Sequence, residues 1–204
     1  MTKAEYINRF WLYYLSLEDD FLATMNYVEF SPDNYDTYSK EYTKLFISLG
    51  SEIDIIFKAL CREIDPSNEY RNISDYARVL CDRLDLINSK VEVVNSDENF
   101  QPFYGWQVGS NPRWWGEYND IKHHRAEEDK FRKGNLGNVI NSLSALFVLN
   151  RYLCKKICAG RTMKEPEIRS KLFEMAGWDI CIYEGRNLVR VLRTNGNMTI
   201  MSDR

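Results

Sequence analysis

The chain has 204 residues, a formal net charge of −3, and 44% hydrophobic, 28% charged and 14% aromatic side chains. That length supplies one substantial core, and the slight negative charge excludes the overall electrostatic signature of a general nucleic-acid binder. No segment approaches the ~20 largely apolar residues that cross a bilayer, and the N-terminus lacks the three-part pattern of a secretory signal, so a cytoplasmic protein is expected.

The charge is unevenly distributed: residues 1–60 carry ten acidic against five basic side chains, and residues 151–204 carry eleven basic against six acidic. A local basic surface that attracts phosphate is compatible with this gradient, and so is a solvated face. The cysteines, Cys61, Cys81, Cys154, Cys158 and Cys181, are odd in number, contain no Cys-x-x-Cys and have no neighbouring histidine. They read as buried thiols, with neither a disulfide framework nor a metal site expected.

In chain order, Tyr6, Phe10, Tyr14, Leu17, Phe21 and Val28 mark a helix from about residue 4 to 28. Ser31-Pro32-Asp33-Asn34 stops it. Ser39 caps a second long helix with the stripe Tyr42, Leu45, Leu49, Ile53, Ile56, Leu60 and Ile64, which ends at Asp65-Pro66, and the two helices should pack as an antiparallel pair. A third helix is predicted over residues 74–89, with Ala77, Leu80, Cys81, Leu84 and Ile87 facing inward. Residues 91–110 lack helical period and read as a small hairpin or ordered loop, with Phe103, Tyr104 and Trp106 covering the bundle.

Asn111 and Pro112 then suit the N-cap and first position of a polar helix. After a charged connection, a long helix runs from about Asn135 to Ile157, apolar over so wide an arc that it belongs at the centre of a bundle. Pro166 begins a predicted last helix through Met175. The runs 178–183 and 187–193, separated by Glu184-Gly185-Arg186, suggest a short hairpin, and the residues from Asn195 onward look frayed. The expected fold is an all-α bundle over residues 1–160, with a small non-helical insertion, and a C-terminal helix and hairpin over residues 161–204 packed on it.

Both histidines lie in the polar helix, in Asn119-Asp120-Ile121-Lys122-His123-His124-Arg125, so any imidazole chemistry must happen there. A histidine there can exchange a proton with a 2′-hydroxyl or a departing 5′-oxygen. Lys122, His124 and Arg125, with Lys130, Arg132 and Lys133 of the following connection, can hold phosphates, and an exposed Trp114 can stack on unpaired bases. An amphipathic helix with one aromatic and one charged face has the same pattern. A metal reading from Glu117, Asp120, His123 and His124 lacks the second Glu-x-x-His helix of di-iron bundles, and no dinucleotide or phosphate-binding glycine loop occurs. No cofactor is expected.

The segment Trp115-x-x-Tyr118-Asn119-x-x-Lys122-His123-x-Arg125, followed by Asn135-Leu136-x-Asn138-Val139-x-Asn141-Ser142-Leu143-x-Ala145-Leu146-Phe147-x-Leu149, resembles the signature half of HEPN-type helical domains. Active members are metal-independent ribonucleases of toxin–antitoxin and phage-defence systems, generally dimeric, with an Arg, four to six residues, then a His. The resemblance puts His123 at the motif's His, Asn119 at its polar position and Tyr118 at its leading Arg. Tyrosine carries no positive charge at neutral pH, so stabilisation of the reacting phosphate is impaired. It therefore implies an RNA-binding or protein-interaction module, as a homodimer or with a cognate toxin or antitoxin. Endoribonuclease action through His123 and a purely structural helical homodimer stay open.

Overall fold

The long helices read from apolar stripes are present in the structure, a computed structural model that describes residues 1–158, 166 and 168–175, apart from the side chain of Glu128, and the backbone of residues 179–184, 187–194 and 197–202. Thr2 opens helix α1 (Lys3–Tyr6) with a reciprocal capping box to Glu5. The chain continues through a π-helical turn, Ile7–Trp11, into α2 (Leu12–Thr24). Across that turn the sequence neighbours Phe10 and Trp11 are both buried. After a 3₁₀ turn, Pro32–Asn34, the Ser39 hydroxyl accepts from the Tyr42 N–H and starts α3 (Lys40–Ile64), which stops before Pro66.

Helix α4 (Ile73–Arg83) is shorter than its predicted span, because Leu84 adopts extended backbone (φ −133°, ψ 141°). The inward residue after the break is consequently Leu86, and Ile87 is exposed. The insertion forms the antiparallel hairpin of β1 (Val91–Val93) and β2 (Asn99–Phe100), with Val91 opposite Phe100. Phe103 and Trp106 cover the bundle as expected, whereas Tyr104 points to solvent.

Helix α5 (Arg113–His124) begins one residue later than predicted, with Pro112 at the N-cap and no side-chain cap. The charged connection contains a single short helix, α6 (Glu128–Phe131). Asn135 caps α7 (Leu136–Ile157) by accepting from the Asn138 N–H. α7 is the axis of the molecule: α3 packs along it most extensively, and α1, α2, α5 and the small sheet also touch it. From Ser142 to Arg151 every residue is buried. The polar groups on this stretch turn back on their own helix: Ser142 and Ser144 hydroxyls and the Asn150 amide donate to the carbonyls of Val139, Asn141 and Leu146. This meets most of the hydrogen-bonding requirement without wetting the core.

The helix predicted from Pro166 to Met175 is corrected: residues 168–172 are irregular and Phe173–Met175 is strand β3, antiparallel to β1, giving the order β2-β1-β3. Tertiary bonds override the local helical pattern. Glu18, wholly buried on α2, accepts from the Tyr14 hydroxyl at 2.5 Å, from the Ser170 hydroxyl and from the Lys171 N–H at 2.8 Å, and Trp11 Nε1 donates to the Ile168 carbonyl at 2.7 Å. Further on, β4 (Asp179–Glu184) and β5 (Asn187–Thr194) form the expected hairpin, closed by the pair Glu184 and Asn187. The supposedly frayed tail instead contributes a third antiparallel strand, β6 (Asn197–Ser202). The packing of this hairpin on the bundle lies outside the described residues. Helices thus carry most of the described chain, with two small three-stranded sheets. Among the described residues no helix is long and apolar enough to cross a membrane.

Leu143 is fully buried on α7. Leu143→Ala is expected to cost about 2–5 kcal/mol by denaturant titration, through lost transfer energy and a residual cavity. A second prediction concerns Glu52, a buried carboxyl on α3 that burial pushes from its ordinary 4.5 up to about 7. A carboxyl more basic in the folded chain than in the unfolded one favours folding when protonated, so its contribution is complete below the unfolded value and is lost as pH rises through the folded one. Glu52→Gln should therefore flatten the fall in stability between those two values and raise the melting temperature at about pH 8 relative to the parent. Parallel thermal unfolding at mildly acidic and mildly alkaline pH checks it, and an unchanged pH dependence refutes it.

Candidate nucleic-acid interface

Helix α5 divides its residues by spacing. Trp114, Trp115, Tyr118 and Ile121 are buried on one side, and Lys122, His123, His124 and Arg125 are exposed at the C-terminal end. The buried side enters an aromatic cluster. Trp115 and Trp106 lie 6.0 and 5.1 Å from the Phe57 ring of α3, Phe103 lies 6.2 Å from Trp114, and Trp114 Nε1 donates to the Pro102 carbonyl at 2.7 Å. Trp114 is therefore not the exposed stacking ring expected from the sequence. Neither tryptophan is presented to a second copy, because both are consumed within one chain.

Tyr118 is 3% exposed and lies edge-on to Phe46 at 6.1 Å. Its ring occupies the space that a side chain at Gly50 would need: a Cβ there would stand 2.3 Å from two ring carbons. Gly50 thus lets α5 approach α3 at this crossing. An arginine at position 118 would have its charge directed into this contact, where desolvation opposes it. Asn119 donates back to the Trp115 carbonyl at 3.0 Å, engaging its amide within the helix. The three motif positions Tyr118, Asn119 and His123 do not converge: one is core, one is held by its own helix and one is exposed.

On the outer side, acidic and basic groups are sorted by α6 and the residues after it. Lys130 reaches Asp120 at 2.6 Å, which raises the lysine's proton affinity, and Lys133 lies 3.0 and 2.9 Å from the two oxygens of Glu117. With both α5 carboxylates paired, Lys122 and Arg125 are the charged side chains exposed at the end of the helix, and the acidic Glu127 and Asp129 follow in the connection. Lys122 Nζ stands 5.5 Å above the Tyr118 ring centroid, Arg132 packs 5.8 Å from the Tyr38 ring, and His124 Nδ1 lies 3.0 Å from Glu127. The two imidazole centroids are 6.3 Å apart. Basic side chains at a helix C-terminus also complement the helix dipole, so part of this pattern serves α5 itself. Among the described residues, no three His, Cys, Asp or Glu side chains form a cluster suited to a metal ion.

The sequence reading missed a cleft of about 380 Å³ beside the N-terminal half of α5, where Glu117 and Lys133 meet Asn135, Asn138 and Asn141. Its signal was present as asparagines at three-residue spacing, which place three amides on one side of α7. Comparison with protein-family models, curated proteins and solved structures gave no match.

The α3–α5 approach is open to a direct test. In a free helix Gly→Ala gains about 1 kcal/mol, but Gly50→Ala is expected to lose about 1–3 kcal/mol in urea titration through overpacking. The loss should shrink when Tyr118 is also replaced by Ala, a coupling that a double-mutant cycle measures.

Proposed function

We propose that the chain is an RNA-binding module of HEPN type that engages the backbone of a single strand on the basic end of α5, with little or no cleavage. The observation that carries this reading is the joint exposure of Lys122, His123, His124 and Arg125 while Tyr118, in the motif's arginine position, is buried. Lys122 and Arg125 supply phosphate contacts, and Arg132 adds charge nearby. The pairing of Lys130 and Lys133 with α5 carboxylates gives them a positioning role: they mask Asp120 and Glu117, which would repel a polyanion.

Cleavage needs a charge-stabilising group beside the reacting phosphate as well as an acid or base. His123 is accessible for proton transfer, but the leading motif position offers no guanidinium. A role in toxin–antitoxin or defence systems, and a homodimer that brings two α5 ends together, follow from the HEPN resemblance.

Fluorescence anisotropy with a labelled single-stranded RNA at increasing salt tests the reading. Binding should weaken steeply with salt, and Lys122→Ala combined with Arg125→Ala should weaken it further and reduce the log–log slope by about 1.4, the share of two phosphate contacts on a single strand. His123→Ala should leave most of the binding intact. Absence of binding at low salt removes the RNA reading in favour of a protein partner, and rapid metal-independent cleavage lost in His123→Ala replaces it with the nuclease.

A further inference from the structure

Two large rings from distant segments meet at the surface beside α6. Tyr38, just before α3, is 44% exposed, and Phe131, the last residue of α6, is 37% exposed. Their centroids lie 5.7 Å apart with the ring planes at 81°, and the Arg132 guanidinium sits over the Tyr38 ring at 5.8 Å. A single exposed ring is ordinary, but two in contact beneath a guanidinium form a patch. An edge-on pair also leaves most of its ring face unstacked.

The backbone on both sides of the pair is fixed. Tyr38 and Asn135 form an isolated antiparallel bridge, the Ser39 N–H donates to the Gly134 carbonyl at 3.2 Å, and the Leu136 N–H donates to the Thr37 carbonyl at 3.0 Å. Lys130 ties α6 to Asp120 of α5 at 2.6 Å. The rings are therefore in place before a ligand arrives, and little ordering opposes binding to them. Six residues of chain lead from Arg125 to Phe131, a path of at most about 20 Å, which a strand of a few nucleotides covers. Residues 122–133 carry five basic against three acidic side chains. So mixed a charge holds a polyanion weakly, and a bound strand needs a contribution that charge does not supply.

We propose that Tyr38 and Phe131, with Arg132, are a stacking platform for an unpaired base of a single-stranded RNA whose phosphates lie on the end of α5. Every base has a π face, so the platform takes any of the four, and it discriminates against a duplex, whose bases are covered by their neighbours. The planar guanidinium of Arg132 extends the stacking surface over Tyr38 and is near the phosphate that adjoins the stacked base. These rings take the role that the buried Trp114 does not fill. The inference rests on the RNA-binding reading and deepens it, since bases as well as phosphates are then recognised.

Fluorescence anisotropy compares a short unstructured RNA with a ribose–phosphate oligomer of the same length and charge that lacks bases. The RNA should bind about tenfold tighter, the scale of one stacked base, and a 2-aminopurine placed in it should be quenched on binding. Tyr38→Ala should lose about the same factor for the RNA and little for the abasic oligomer. Its log–log salt slope should stay that of the parent, because no charge is removed. Tyr38→Trp should retain the preference. Phe131→Ala should weaken RNA binding in the same sense and carries the test if thermal unfolding shows that Tyr38→Ala is not folded. Equal binding of the two oligomers by the parent protein, or RNA affinity unchanged in folded Tyr38→Ala and Phe131→Ala, overturns the platform and leaves the phosphate-based RNA reading standing. An equal loss for both oligomers in Tyr38→Ala also overturns it, since the ring then acts only through the placement of Arg132. Absence of binding of either oligomer at low salt overturns the platform and the RNA reading together.

Discussion

Burial of α7 around its circumference is the constraint from which most of the architecture follows. A helix covered on one face needs one partner, but Ser142 to Arg151 are all buried, so α7 must be surrounded. Helix α3 supplies the longest contact, and α1–α2, α5 and β3 supply further contacts. Burial of this kind is non-directional and scales with area, which lets elements as different as a helix and a three-residue strand serve as cover. The Ser142, Ser144 and Asn150 side chains of α7 are tolerated because they donate to their own helix backbone, at little cost in directional matching to neighbours.

Helix α5 connects that core to the candidate interface. Its buried side is fixed by rings from three sources, α3, the insertion after β2 and α5 itself, so the basic end of the helix is held by packing and does not depend on a ligand for its position. The same contacts decide the place of Tyr118. At Gly50 the approach of α5 to α3 turns Tyr118 into a packing residue.

The bonds around Glu18 explain the path of the chain after α7. A carboxylate at zero exposure needs its lone pairs filled, and the donors come from Tyr14, Ser170 and the Lys171 backbone. Fixing residues 170 and 171 on α2 delivers Phe173 to the core and β3 to the edge of β1. A segment with a plausible helical pattern is thereby held in extended form, since its backbone donors and acceptors are committed to α2 and to the sheet.

Periodicity made the helices legible: the stripes of α2, α3 and α7, the Ser39 and Asn135 caps and the stop at Pro66 are local features, set by residues three or four apart. The hairpin of β4 and β5 was legible from another local feature, two short runs separated by Glu184-Gly185-Arg186. For the candidate site, the sequence determined that both histidines share one helix with Lys122 and Arg125, and that asparagines recur on one side of α7. It could not determine that Trp114 is covered, that Tyr118 lies against Gly50 across 68 residues of chain, or that Ser170 meets Glu18 from 152 residues away. The cleft between Glu117 and the α7 asparagines likewise exists only after α5 and α7 have packed. Local spacing fixes which side chains share a helical face, whereas exposure and convergence depend on partners from distant segments, and those only the tertiary structure decided.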